Sequence, residues 1–179
     1  MGFARRLVVG LAALVLAVMT VGFLLPDTVV MSRTVVITAP PESVFPYINS
    51  MRRSVDWSPL RLADPAVQVA FRGPESGVGS RLDWASEDFR LRSGSQRILV
   101  SDPPRHVRST LAFAGLGSAM ASFDLVPRGD ATALTLGLEA DMGNGPLARW
   151  AGLLLHKWIG ANYARGLDEL KALLEAGEG

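Results

Sequence analysis

The chain has 179 residues, a formal net charge of +1 and no cysteine. This length fits one ordinary domain with a short additional segment. The near-zero charge, without a basic block or an interleaved aromatic stripe, argues against a nucleic-acid partner, and the lack of cysteine excludes disulfides, thiolate metal sites and cysteine nucleophiles.

The additional segment is at the N-terminus, where Leu7 to Leu25 carries no charged residue. As a helix this run spans about 28 Å at roughly 1.5 Å per residue, close to the hydrocarbon thickness of a bilayer. A cleaved signal peptide has a shorter apolar region and then a small-x-small site, for which Thr20-Val21-Gly22 is a weak match. We therefore expect residues 1–27 to form a retained membrane anchor, with a cleaved signal or a buried soluble helix as the alternatives.

The charges beside this run predict its orientation. Arg5 and Arg6 precede it, and Arg33 follows it closely. Because positively charged flanks tend to stay in the cytoplasm, we expect a single-pass protein with a cytoplasmic N-terminus. The folded domain, residues 28–179, is then extracytoplasmic, and Pro26 to Ser32 is expected to be a short tether.

The domain begins with a predicted strand from Arg33 to Thr38, which a double proline ends. Pro41 suits the first turn of a helix, because its missing N–H is not needed there. Four apolar residues then recur at helical spacing and give one apolar face: Val44, Phe45, Ile48 and Met51. A second short helix is expected from Ser54 to Trp57, before Pro59.

From residue 67 the apolar pattern changes to alternation, which predicts strands. Six are expected, at about 67–72, 81–84, 89–101, 107–113, 119–126 and 132–139, and Gly94 marks a possible bulge. Glycine- or proline-rich turns separate them, and Gly73 to Gly79 is the clearest hairpin signal. Such tight turns make the sheet antiparallel.

A long final helix is predicted from Leu147 to Leu174, with apolar residues along one side. A sheet with one apolar face must be covered, and this helix is the predicted element large enough to cover it. A curved sheet closed by a helix leaves a space between them, and spaces of this kind commonly bind small molecules.

Several stretches carry a resemblance to a known superfamily: Ala39-Pro40-Pro41-x-x-Val44-Phe45-x-x-Ile48, Trp57-Ser58-Pro59, Gly73-Pro74-Glu75-x-Gly77-x-Gly79, Val126-Pro127-x-Gly129-Asp130-x-Thr132 and Gly166-Leu167-x-x-Leu170-Lys171. From Val29 to Leu174 the chain resembles the SRPBCC superfamily, also called START or Bet v 1-like, and especially its bacterial polyketide cyclase/dehydrase branch. The resemblance implies an α+β helix-grip fold, with a curved antiparallel sheet of about seven strands on a long C-terminal helix. It also implies an apolar internal cavity. Members of such folds bind lipids, hormones and polyketides, and only some are catalysts.

No catalytic constellation is evident in the sequence. The two histidines, His106 and His156, lack the spacing of a metal site, so neither a metal nor a cofactor is expected. Asp83, Glu139 and His156 are weak catalytic candidates, because burial at a cavity can shift the pKa of such groups. Strand alternation favours Asp83 on the solvent side, together with Arg81.

Aromatic and other apolar residues on the faces assigned inward are the predicted ligand-binding set. They are Trp57, Trp84, Phe113, Met120, Phe123, Trp150, Leu154 and Trp158. Ordinary core packing is the alternative interpretation, and the two overlap, because core and cavity wall are partly the same surface in this fold.

The leading hypothesis is a membrane-anchored protein that binds a hydrophobic small molecule or lipid between the sheet and the last helix. Its partners are that ligand and the membrane, through Leu7 to Leu25, with no nucleic acid. The first alternative is a polyketide cyclase/dehydratase-like or hydrolytic enzyme that uses the same cavity, although the missing catalytic set favours a non-enzymatic role. The second is an envelope interaction protein without a ligand.

Overall fold

The computed structural model of the chain describes residues 2–88, 91–114, 117–141 and 145–176. Side chains at positions 4, 148 and 151–159 are outside this description. The described helices are α1 (Gly2–Leu24), α2 (Pro41–Ile48), α3 (Met51–Trp57), α4 (Pro59–Ala63) and α5 (Pro146–Ala176). The described strands are β1 (Thr28–Ile37), β2 (Gln68–Arg72), β3 (Arg81–Ala85), β4 (Ser93–Asp102), β5 (His106–Phe113), β6 (Gly117–Arg128) and β7 (Ala131–Asp141).

The strands form one antiparallel sheet in the order β1-β7-β6-β5-β4-β3-β2. Consecutive strands from β2 to β7 are neighbours, as expected for a meander joined by tight turns. The first strand closes the order by pairing with the last, from Thr28 opposite Asp141 to Ile37 opposite Thr132. The predicted architecture, a seven-stranded antiparallel sheet with a long C-terminal helix, is confirmed.

The predicted tether is wrong. Strand β1 begins at Thr28, so that only Leu25 to Asp27 separate it from α1. Val29 and Val30 pair with Ala140 and Glu139 at the far end of the chain. This pairing is long-range, and the local sequence gives no sign of it.

Two smaller predictions near the ends of elements also change. A third short helix, α4, follows α3, because Pro59 starts it and the Ser58 hydroxyl accepts a hydrogen bond from Leu60 N at 3.2 Å. The register shift lies between Ile98 and Val100 in β4, rather than at Gly94. Such an irregularity adds local twist to the sheet.

The core lies on the concave side of the sheet. Alternate residues of β6 and β7 point to this side, and their side chains are buried among those of α2, α3 and the second half of α5. Leu167 and Leu170 of α5 are fully buried. The approach of α5 is close at Gly166, where an added Cβ would lie 2.8 Å from Trp57 O. The second half of α5 is thus part of the core.

Candidate ligand-binding site

Two aromatic pairs form much of the described concave wall. Trp57 of α3 meets Phe123 of β6 edge-to-face, with ring centroids 5.9 Å apart. Trp84 of β3 meets Phe113 of β5 in a similar way at 5.4 Å. Each indole N–H donates to a backbone carbonyl, that of Trp57 to Tyr47 O at 3.2 Å and that of Trp84 to the Leu91 carbonyl at 3.3 Å. With their polar atoms satisfied, the rings offer an apolar surface.

A polar pair interrupts this apolar wall. Gln96 Nε2 donates to Ser109 Oγ at 2.9 Å, between β4 and β5. Ser109 is fully buried, and Gln96 lies between Leu82 and Leu111 on the neighbouring strands. Sequence analysis missed this pair. The available signal was that Gln96 is two residues from Ile98, so that alternation assigns this polar side chain to the buried face.

Tyr163 of α5 is a second polar group that sequence analysis missed. It packs against the core cluster. Burial raises the pKa of Tyr163 to about 12, because a phenolate is poorly solvated there. A protonated phenol can donate one hydrogen bond.

The structure brings four of the eight predicted ligand-binding residues together on the concave side. These are the members of the two aromatic pairs, of which Phe113 remains partly exposed. Leu154 and Trp158 belong to α5, but their side chains lie outside the described part of the chain. The remaining two, Met120 and Trp150, point elsewhere.

The inward assignment of Met120 is wrong. Its neighbours along β6, Ala119 and Ala121, are buried on the concave side, so Met120 faces outwards. There it lies between Thr110 and Glu139 on the adjacent strands and lines an open depression of about 340 Å³ on the convex face. The strand pattern allowed either assignment, because both of its faces carry apolar residues.

The inward assignment of Trp150 is also wrong. Its indole Nε1 donates to Val18 O in α1 at 3.1 Å. The sequence indicates which residues of α5 share a face, but it does not indicate that α1 packs beside the start of α5. Helix α1 is itself long and apolar enough to cross a membrane, or to be a signal sequence.

The described catalytic candidates lie on the convex side. The Asp83 carboxylate is bound by Arg81, through Nε at 2.8 Å and Nη2 at 2.6 Å, and lies 3.0 Å from Arg72 Nε. Glu139 is exposed opposite Met120. The His156 side chain is outside the described part of the chain. Neither carboxylate reaches the concave wall.

A family model described as "polyketide cyclase / dehydrase and lipid transport" matches residues 28–175. The chain belongs to this family. The predicted SRPBCC assignment is therefore confirmed, and the family points to hydrophobic ligand binding or polyketide cyclase-like function. No curated protein matches the sequence.

Solved structures similar to this member of the polyketide cyclase/dehydrase and lipid transport family share its fold. Norcoclaurine synthase from Thalictrum flavum is 15% identical, with a TM-score of 0.65 over 85% of this chain and 97% of its own. Ara h 8.0201 is 13% identical, with a TM-score of 0.60 over 83% and 99% of the two chains. Protein CV1439 from Chromobacterium violaceum is 20% identical, with a TM-score of 0.58 over 84% and 98%. At these identities the likeness supports the helix-grip fold alone.

The family match begins at residue 28, where β1 begins, so α1 lies before the matched region.

Proposed function

We propose that this chain binds a hydrophobic small molecule or lipid between the concave face of the sheet and α5, and that α1 anchors it in a membrane. The main support for ligand binding is that the apolar concave wall remains partly accessible to solvent. Phe113, Met31 and Val35 pack against the buried core, yet each is only partly buried. Accessible apolar surface in a concave site is the usual basis for binding an apolar ligand.

Two polar groups that pack with the core favour recognition over catalysis. The Gln96 amide and the protonated Tyr163 phenol can each hydrogen-bond to one polar group of an otherwise apolar ligand. A phenol with a pKa of about 12 is a poor general base at neutral pH. Asp83 and Glu139, which would serve better, point away. Binding is therefore the better supported of the two functions that the family suggests.

The proposal is tested with matched lysine substitutions in the full chain, reconstituted in lipid nanodiscs. Phe113→Lys puts a charge on the concave wall, whereas Met120→Lys puts the same charge on the convex face. Binding of a fluorescent fatty acid is measured, together with mass spectrometry of material extracted by organic solvent. We expect Phe113→Lys to lose at least about ten-fold in affinity, because an unpaired charge is costly at an apolar site, and Met120→Lys to bind normally.

The outcomes separate the candidate functions. Equal binding by both variants, or no ligand recovered and none bound, contradicts the binding proposal. A bound compound that is converted to a product of different mass favours the cyclase-like alternative. The flanking charges predict that the domain is extracytoplasmic. A topology reporter fused after Gly179 tests this orientation independently, and a cytoplasmic signal contradicts it.

A further inference from the structure

Helix α1 is held directly against the start of α5. Arg149 Nη1 donates to Phe23 O at 2.7 Å and to Leu25 O at 2.9 Å. The helices touch at Gly22, where an added Cβ would lie 2.6 Å from the Pro146 side chain. One turn earlier along α1, Val18 accepts the hydrogen bond from the Trp150 indole. We call this set of contacts the α1–α5 junction.

The junction fixes the end of α1 by satisfying its backbone. The last carbonyls of a helix have no partner within the helix, and in apolar surroundings each free carbonyl is costly. The Arg149 side chain is only 15% exposed, and its guanidinium donates hydrogen bonds to the carbonyls of Phe23 and Leu25. The guanidinium also lies 3.8 Å from the Asp27 carboxylate. Because β1 follows almost at once, α1 is held by the sheet as well as by α5.

This geometry sets the depth of α5 relative to a bilayer. Val18 lies about 9 Å before Leu24 along the helix axis, at roughly 1.5 Å per residue. With the end of α1 at the polar boundary of the membrane, the Trp150 indole therefore lies inside that boundary. Tryptophan is enriched near the membrane–water interfaces of membrane proteins, and interfacial helices are buried to about 5–10 Å.

The surface around the junction is apolar and exposed. Leu147 in the first turn of α5 is 68% exposed, and Phe23 and Leu24 at the end of α1 are 58% and 81% exposed. Large apolar side chains that cluster at the end of a membrane-crossing helix are suited to lipid. A water-exposed tether would not require them.

We propose that the first turn of α5 inserts into the lipid interface beside α1, so that the partner of this surface is the bilayer itself. The helix that closes the concave wall then begins in the membrane, and the site is held next to lipid rather than carried on a tether. This inference rests on the proposed anchoring by α1.

The test uses the full chain in vesicles of three parts phosphatidylcholine to one part phosphatidylglycerol. The chain has no cysteine, so Leu147→Cys can be labelled with an environment-sensitive fluorophore at one position. Val126→Cys is the matched control, because Val126 is 55% exposed and lies on β6 opposite Ala133. That position is about 26 Å along the sheet from the Asp141 end, at roughly 3.3 Å per residue.

A nitroxide attached near the lipid headgroup should quench the Leu147→Cys label several-fold more than the Val126→Cys label. Adding Trp150→Phe, which keeps a ring but removes the donor to Val18, should reduce that difference. Equal quenching at both positions overturns the inference. If alkaline washing removes the chain from vesicles, α1 is not a membrane anchor. The proposed insertion of the first turn of α5, which rests on that anchor, is then contradicted as well. Fatty-acid binding by the same sample tests the ligand site separately.

Discussion

Gly94 lies directly opposite Trp84 in the β3–β4 pair, and the Trp84 indole occupies the space that a side chain at Gly94 would fill. An added Cβ would overlap both the ring and Ala112 O. The position of the ring, and with it the Trp84–Phe113 pair, therefore depends on a residue without a side chain.

We predict that Gly94→Ala destabilises the domain by about 1–3 kcal/mol, the usual cost of overpacking. Chemical denaturation measures the change, and Ser95→Ala, at the next position on the opposite face, is the control. A stability within a few tenths of a kcal/mol of the wild type would show that the Trp84 ring has room to move.

The Gln96–Ser109 pair gives a second prediction. Gln96→Leu leaves the buried Ser109 hydroxyl without its donor, which should cost about 1–3 kcal/mol. Replacing both residues, as Gln96→Leu with Ser109→Ala, should recover most of that loss, because no polar atom is then left unpaired. The free energies of unfolding of the wild type, Gln96→Leu, Ser109→Ala and the double variant form a double-mutant cycle. If the losses of the two single variants simply add in the double variant, the pairing is contradicted.

The same pair should also affect ligand choice. In the double variant, binding of a fatty acid should weaken more than binding of a plain hydrocarbon of similar length, because only the fatty acid has a polar group for Gln96 to recognise. Parallel titrations measure the ratio. An unchanged ratio would mean that Gln96 has a structural role alone.

Tyr163 gives a prediction about pH. Its pKa is about 12 in the folded chain, against an ordinary value of 10.0. The folded state therefore keeps a proton that the unfolded state has lost, so the free energy of unfolding falls as pH rises from about 10 to about 12. Tyr163→Phe should flatten this part of the pH profile, because the group that titrates is then absent. Near-ultraviolet absorbance of tyrosinate, followed with pH, checks the assignment directly.

Asp83 provides a test of the enzymatic alternative. Arg81 is paired in register with both Arg72 and Arg97, so three like charges lie side by side across β2, β3 and β4. Asp83→Asn removes the carboxylate between two of them and should destabilise the fold modestly, by about 1 kcal/mol or less, with the loss shrinking at high salt. Ligand binding should not change. If the chain has a cyclase-like or hydrolytic activity, and Asp83→Asn abolishes it without lowering stability, Asp83 would again be a catalytic candidate.

Local patterns predicted the sheet and the long helix, because the spacing of apolar residues along a strand or a helix is a property of neighbouring residues in the sequence. They could not predict pairings between distant segments. Thr28 to Ser32 became part of β1 because β7 supplies its hydrogen bonds, and Trp150 turned from the concave wall because α1 supplies an acceptor. The inward assignment of Met120 was wrong for another reason. Small residues such as Ala121 occupy the buried face of β6, and the larger Met120 side chain lies on the opposite face.

Arg149 gives the last prediction. Arg149→Met keeps a long apolar stem but removes the guanidinium that donates to Phe23 O and Leu25 O. The α1–α5 junction should therefore loosen while the sheet core stays intact. Amide hydrogen exchange of the reconstituted chain should then be several-fold faster at Phe23, Leu24 and Leu25, where the bonds from Arg149 no longer hold the backbone. Arg33→Met is the matched control, because Arg33 is exposed on β1. Equal exchange in both variants would show that the sheet alone holds the end of α1.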